Sequence, residues 1–281
     1  MDDPEEFRAA SRDHWEAAAR GWSARREAFQ AAAAPVSAWL VDAVQPQPGQ
    51  TILELAAGPG DTGLLAAELV RPHGKLILTD GAEAMVEVAR ARTEELGLTD
   101  VVETRPMELE WIDLPTASVD AALCRWGYML LADPEAALRE TRRVLRPGGH
   151  VALSAWAAPE ANPWSMGRLL LDQGVVEPRD PAEPGPFALA DPDRIRELLQ
   201  DAGFDEIVLD AVDFAFTAPD ADGWWEHQLD CSPTLAESVR DLSPADHYRL
   251  RDAVDAFLTR FAQPDGSLRI PARTLTASAT A

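Results

Sequence analysis

The residues whose types and spacing could do chemistry lie in residues 51–63, where Gly58, Gly60 and Gly63 end a short apolar run carrying one acid, Glu54. Glycine has no Cβ, so the backbone there can take positive φ and a ligand can lie against the main chain. Asp61 or Thr62 can cap a helix whose apolar face is Leu64, Leu65 and Leu69, and its first N–H groups would point at that ligand. Asp80 ends the next apolar run, residues 75–79, twenty-two positions beyond Gly58. A carboxylate at the end of the second strand of a doubly wound sheet accepts hydrogen bonds from both hydroxyls of a ribose. The same residue can cap a helix starting near Ala82, and the two roles are compatible. Together these residues describe a nucleotide-type cofactor site.

Two cofactor classes use such a turn. Gly58-x-Gly60-x-x-Gly63 also spells the dinucleotide fingerprint, but that cradle opens a domain, and about fifty residues of helical pattern precede it here. Hydride transfer of the short-chain type needs a Tyr-x-x-x-Lys pair, whereas the single lysine, Lys75, lies upstream of both tyrosines, Tyr128 and Tyr248. An NAD(P)-dependent oxidoreductase using the glycine turn stays open as an alternative, as does a cofactor-binding protein without turnover.

The elements that must position these residues follow from hydrophobic periodicity. Residues 4–45 read as helical, with Phe7, Trp15, Trp22 and Phe29 spaced by seven or eight and Pro35 opening a second helix through Trp39, Leu40 and Val44. These form an N-terminal helical cap, 1–45; Trp15 and Trp22 are either a core stripe or a lid over the cofactor. Strands at 51–56, 75–79, 101–104, 118–124 and 150–156 alternate with helices at 82–96 and 134–145 in a core spanning 46–156, which predicts a parallel sheet. Ligands of such sheets sit beyond the carboxyl ends of the strands, here residues 56–60, 80–81, 107–109 and 124–128. Residues 157–281 supply the remaining strands and a substrate lid. In that part, a Pro/Gly-rich loop at 177–186 is long enough to be a lid, and a helical insertion at about 220–262 precedes a last strand near 268–277.

Composition narrows the partners. Asp and Glu number 48 against 25 Lys and Arg, a formal charge of −23 that would repel nucleic acid or an anionic membrane surface. No run approaches a membrane span, and the acidic start, Met-Asp-Asp-Pro-Glu-Glu, is unlike a signal peptide, so a cytoplasmic location is expected. Cys124 and Cys231 are far apart and the five histidines have no ligand spacing, so neither a disulfide framework nor a metal site is expected. The expected partner is a small molecule.

In order and spacing, the segments from about residue 46 to 160 resemble a class I S-adenosylmethionine-dependent methyltransferase of the branch that includes ubiquinone and menaquinone C-methyltransferases. Glu54-Leu-Ala-Ala-Gly-Pro-Gly is similar to the family's first motif, Asp80 with Met85 to its second, and Met107-Glu108-Leu109 to the segment that meets the adenine amino group. Leu145-Arg-Pro-Gly-Gly149 resembles the turn before strand five. Ala56 stands where the family usually has glycine, and Glu108 where aspartate is commoner.

The resemblance implies an α/β fold: a Rossmann-like, doubly wound, seven-stranded sheet with its last strand antiparallel, N-terminal helices, and a helical lid inserted before that strand. It implies S-adenosyl-L-methionine as cofactor, S-adenosyl-L-homocysteine as product and a small-molecule methyl acceptor as partner. Glu54 would orient the methionine amino end; Ala56, Gly58 and Gly60 would lie against the cofactor; Asp80 would bind ribose; Gly81 and Met85 would flank adenine. Met107, Glu108 and Leu109 would face its N6 and N1 edge, and Arg125 would stand beside the sulfonium. Arg125-Trp126-Gly127-Tyr128 replaces the Asn/Asp-Pro-Pro-aromatic run of enzymes that methylate base amines, which disfavours that reaction. If a base is needed, His227 is the first candidate, with an exposed or core-satisfied histidine as its bland alternative; Tyr128, the other catalytic candidate, follows strand four with Arg125 and could instead orient the acceptor. Trp126, Trp164, Trp224 and Trp225 either line an aromatic acceptor's pocket or pack the core.

Overall fold

A computed structural model describes residues 4–178, 180 and 183–281. The expected acidic start therefore falls partly outside the described residues, as do Arg179, Pro181 and Ala182 of the expected lid loop.

The core is one seven-stranded sheet in the order β3-β2-β1-β4-β5-β7-β6. Its strands are β1 (Thr51–Glu54), β2 (Lys75–Asp80), β3 (Val102–Pro106), β4 (Val119–Arg125), β5 (Leu145–Trp156), β6 (Asp205–Ala218) and β7 (Leu268–Thr280). β1 to β5 pair in parallel, and β7 runs antiparallel between β5 and β6, as expected of the last strand. Central strands buried on both faces read as continuous apolar runs, and Ile52, Leu53, Leu76, Leu78, Ala122 and Leu123 are buried accordingly. β1 lies between β2 and β4, so the chain reverses its direction of winding there and leaves a crevice at the carboxyl ends of those strands.

The helices are α1 (Pro4–Val44), α2 (Gly63–Ala67), α3 (Glu83–Glu95), α4 (Pro134–Val144), α5 (Gly167–Asp172), α6 (Pro192–Asp201), α7 (Ala221–Cys231), α8 (Pro233–Arg240) and α9 (Pro244–Leu258). α7 to α9 lie between β6 and β7, at the expected insertion. Two expectations need correction. Pro35 does not open a second helix: it sits inside the 41-residue α1. A mid-helix proline costs about 3 kcal/mol, which here is offset by burial of Phe29, Ala33, Val36, Leu40, Val41 and Val44 in the main core. The C-terminal half of α1 is thus part of the sheet's own core and not a separate cap. Secondly, the helix after the glycine turn is one short turn and a half; the hydroxyl of its N-cap Thr62 bonds Ser37 Oγ at 3.0 Å instead of capping the helix, and Leu65 and Leu69 are exposed.

Contact between α1 and α7 is close. Trp22 Nε1 donates to the Cys231 carbonyl at 3.1 Å and Arg25 Nε to Asp230 Oδ2 at 2.6 Å. A Cβ built on Gly21 would overlap the Asp230 backbone carbonyl. Alanine in a helix interior ordinarily gains about 1 kcal/mol over glycine. Gly21→Ala is nevertheless expected to destabilise the protein by about 1–2 kcal/mol, because the overlapped atom is backbone and one helix must move. Urea denaturation midpoints of the two proteins check this, and a more stable variant would contradict the packing described.

Candidate functional site

At the carboxyl end of β1 the chain makes three left-handed steps, Ala56 (φ 48°), Gly58 (φ 52°) and Gly60 (φ 83°). Alanine at such a φ costs about 1 kcal/mol relative to glycine, which gives a physical reason for the family's glycine at that place. Nothing lies within 4 Å of a Cβ built on Gly58, so the hollow above it is open. The bare side of Gly60 instead faces Leu78 and Leu64 at 3.1 and 3.4 Å, so it serves the packing of the turn on the core.

Asp80 closes the turn. Its Oδ2 accepts from the Gly58 N–H at 2.9 Å and its Oδ1 from the Ala82 N–H at 3.0 Å, so it braces the glycine turn and caps α3 at once. Burial pushes its carboxyl up to about 6, against the pull of those two N–H groups. Each oxygen retains a lone pair for a ligand hydroxyl. Gly81 admits the carboxylate of Glu108, whose Oε2 would lie 3.1 Å from a Cβ at that position. Met107 and Leu109 are buried on either side of Glu108, and Met85 packs with Ala18, Ala19 and Ala82 beneath Trp15 and Trp22. Arg12 of α1 donates to Glu108 Oε1 at 2.5 Å.

Next to the same turn, against Gly63, lies a buried charged cluster that sequence reasoning found only in part. Glu54 is 2% exposed and burial pushes its carboxyl up to about 8, opposed by the nearby Arg125 guanidinium. Arg125 donates to Ser37 Oγ at 3.0 Å and stands 3.7 Å from Asp61 Oδ2, while Arg26 of α1 stands 3.7 Å from Asp61 Oδ1. Burial raises the Asp61 pKa and lowers that of Arg125. Glu54 Oε2 and Asp61 Oδ1 are buried and accept no hydrogen bond among the described residues, an expensive condition for carboxylate oxygens. Asp61 followed the glycines in plain sight, but its reading as a helix cap concealed it; Arg26 had no sequence signal, because only the packing of α1 brings it here.

Neither proposed base has the setting of one. The Tyr128 hydroxyl is buried and shares a 2.6 Å hydrogen bond with Thr141 Oγ1 of α4, and burial raises its pKa well above the ordinary value. It is a core residue, which corrects the catalytic expectation. His227 lies in α7 stacked on Trp224, with centroids 5.2 Å apart, and its Nε2 is 3.9 Å from Cys231 Sγ. Burial lowers it to about 4, so it is neutral at physiological pH and a weak base.

Three of the four candidate tryptophans, Trp126, Trp164 and Trp224, belong to one aromatic cluster. Trp126 stacks on Trp156 at 4.2 Å and meets Phe29 edge-on at 5.6 Å; Trp156 continues to Trp164, Phe214 and Phe216, and Phe216 to Trp224. Trp225 is buried outside this chain of rings, beneath the Arg251 guanidinium. Trp126 holds a left-handed backbone (φ 60°) just after β4, and its Nε1 donates to Thr274 Oγ1 at 2.6 Å. A bulky residue at that φ is strained, and such strain gathers at functional positions. The Arg125 guanidinium lies 5.0 Å from the Trp126 ring and 5.7 Å from that of Phe29, so the charged cluster and the aromatic cluster adjoin.

Comparison with known proteins agrees with this geometry. A family model described as a methyltransferase domain matches residues 55–153. A ubiquinone/menaquinone biosynthesis C-methyltransferase of Escherichia coli is 29% identical over 170 residues, 57% of this chain and 68% of that protein. An uncharacterised 37.1 kDa transposon protein of Streptomyces fradiae is 41% identical over 115 residues, 41% of this chain; the match spans about a third (32%) of that relative's length. A Haloferax volcanii methyltransferase solved with the Trm112 activator superposes with a TM-score of 0.58 at 19% identity, covering 96% of each chain, a likeness of fold. Residues 55–153 thus match a methyltransferase domain, and the sheet order and the acid-flanked glycine turn are those expected of a class I S-adenosylmethionine-dependent methyltransferase.

Proposed function

We propose that the chain transfers the methyl group of S-adenosylmethionine to a small apolar or aromatic acceptor in a closed pocket. The observation that carries the cofactor half is the pair of buried oxygens without a hydrogen bond among the described residues, Glu54 Oε2 and Asp61 Oδ1, with the Arg26 and Arg125 guanidiniums 3.7 Å from Asp61. A methionine end is a zwitterion: its ammonium needs acceptors and its carboxylate needs cations. Glu54 and Asp61 take the first, Arg26 and Arg125 the second, so Arg125 acts on the carboxylate in preference to the sulfonium, whose charge it would repel. Asp80 takes the ribose hydroxyls, while Gly81 and Met85 bound adenine and Met107, Glu108 and Leu109 line its edge.

When bound, the cofactor supplies an already activated methyl group. The chain's own work is to align it with the acceptor and keep water out, which can supply most of the acceleration. The buried rings of Phe29, Trp126, Trp156 and Phe216 pack on one another next to Arg125, and a flat, apolar acceptor is the class that would join such a cluster. Trp224 Nε1, buried without a partner, offers a donor to an acceptor oxygen. Among the described residues no helix is long and apolar enough to cross a membrane, and a cytoplasmic setting fits the acidic surface.

Two measurements test this reading. Calorimetry should show S-adenosylhomocysteine binding where NAD does not; binding of NAD alone overturns the cofactor assignment. Incubation with methyl-labelled cofactor and a panel of phenols and quinols should label an aromatic acceptor, and label appearing only on hydrophilic amines would reject the acceptor class.

A further inference from the structure

Above the adenine side of the crevice, the first turns of α1 bridge both walls. Arg8 donates to Glu110 Oε2 at 2.5 Å, and its guanidinium lies 4.7 Å from the Trp111 ring; Arg12 holds Glu108 Oε1. On the other wall, Glu16 accepts from the Glu83 and Ala84 N–H groups at the start of α3, at 2.5 and 3.0 Å. Yet no residue from 4 to 17 is buried, whereas Ala18 and Ala19 onward sink into packed clusters. Apart from the Arg8–Glu110 pair, whose side chains are 16% and 3% accessible, the segment is held by half-exposed polar contacts with few buried apolar ones, and it opens at lower free-energy cost than the rest of α1.

We propose that residues 4–17 form a gate over the adenine side and that Arg12 is its latch, competing with the adenine amino group for one carboxylate, Glu108. This rests on the assignment of Glu108 to adenine made above. The geometry makes the competition direct. Oε1 is taken by Arg12, and Oε2 is turned to Gly81, so a donor entering between Gly81 and α1 meets a carboxylate already engaged. Arg8 and Glu16 use other partners, Glu110 and the α3 N-terminus, so they hold the roof without occupying the adenine acceptor. Cofactor entry then requires the Arg12–Glu108 pair to part and residues 4–17 to lift.

The consequence is opposite in sign to that of an ordinary cofactor-site residue: removing Arg12 improves binding. An ion pair of this exposure (side chains 46% and 34% accessible) corresponds to roughly a two- to fivefold change in equilibrium constant. In stopped-flow and calorimetric titrations with S-adenosylhomocysteine, Arg12→Ala and Arg12→Gln should bind roughly two- to fivefold more tightly than wild type, mainly through faster association. Without ligand, chymotrypsin should cut at Phe7 and Trp15 faster in both variants. Weaker or unchanged binding in both variants, or unchanged cleavage, overturns the latch while leaving the methyl-transfer reading intact. A wild-type protein that binds no S-adenosylhomocysteine overturns both.

Discussion

Asp80→Ala should reduce affinity for S-adenosylhomocysteine by about a hundredfold or more and abolish detectable methyl transfer. Each hydrogen bond to a charged acceptor is worth about 1.5–3 kcal/mol, and a ribose would make two of them to this carboxylate. The loss compounds because the same oxygens brace the Gly58 and Ala82 N–H groups, so the alanine variant also releases the glycine turn and the start of α3. Asp80→Asn separates the two effects. It keeps an acceptor for only one of the two braced N–H groups, so it should melt between wild type and the alanine variant, yet bind at least tenfold more weakly than wild type. Isothermal titration together with thermal melts of the three proteins checks this. Binding by Asp80→Ala within threefold of wild type would remove the ribose role.

The sheet was legible in the sequence because parallel strands buried on both faces are written as short apolar runs, and glycines with an acid twenty-two residues on are a local pattern. Glu54, Gly58, Asp80 and Glu108 could be singled out because each ends or follows a strand of the sheet. What failed depended on packing between distant segments. Pro35 signals a helix start in isolation and lies mid-helix only because six neighbours are buried against the sheet. Tyr128 stands after β4, where an acceptor would approach, and nothing local shows that its hydroxyl turns to Thr141 on the next helix. His227 beside two tryptophans reads equally as a pocket base or a stacked core ring until its neighbours are known. Arg26 and Arg12 reach the site from α1, and a charge on an exposed helical stripe has no sequence mark distinguishing it from a solvated one.

Glu54 is expected to give cofactor binding and folding opposite dependences on pH. Its folded-state value, about 8, is raised from an ordinary 4.5 by burial, with Arg125 pulling it down and Asp61 and Asp80 pushing it up. A raised acid stabilises the fold fully below its ordinary value, and that contribution is lost as pH climbs to about 8. Glu54→Gln retains a neutral side chain throughout, so its stability relative to wild type should rise steadily between pH 4.5 and 8. Binding runs the other way. An ammonium next to Glu54 favours the carboxylate, so wild-type affinity for S-adenosylhomocysteine should increase from pH 6.5 toward about 8, with a proton released at pH 7. Working above pH 6.5 keeps Asp80, raised only to about 6, out of the measurement. The glutamine variant should bind about 10- to 100-fold more weakly than wild type at pH 8.5, a charged hydrogen bond being lost, and only a few-fold more weakly at pH 6.5, where wild-type Glu54 is itself protonated. Calorimetry in two buffers of different ionisation enthalpy reads the proton directly. A pH-independent wild-type affinity, or no proton release at pH 7, would show that Glu54 meets no cationic group and that its buried oxygen has a structural origin.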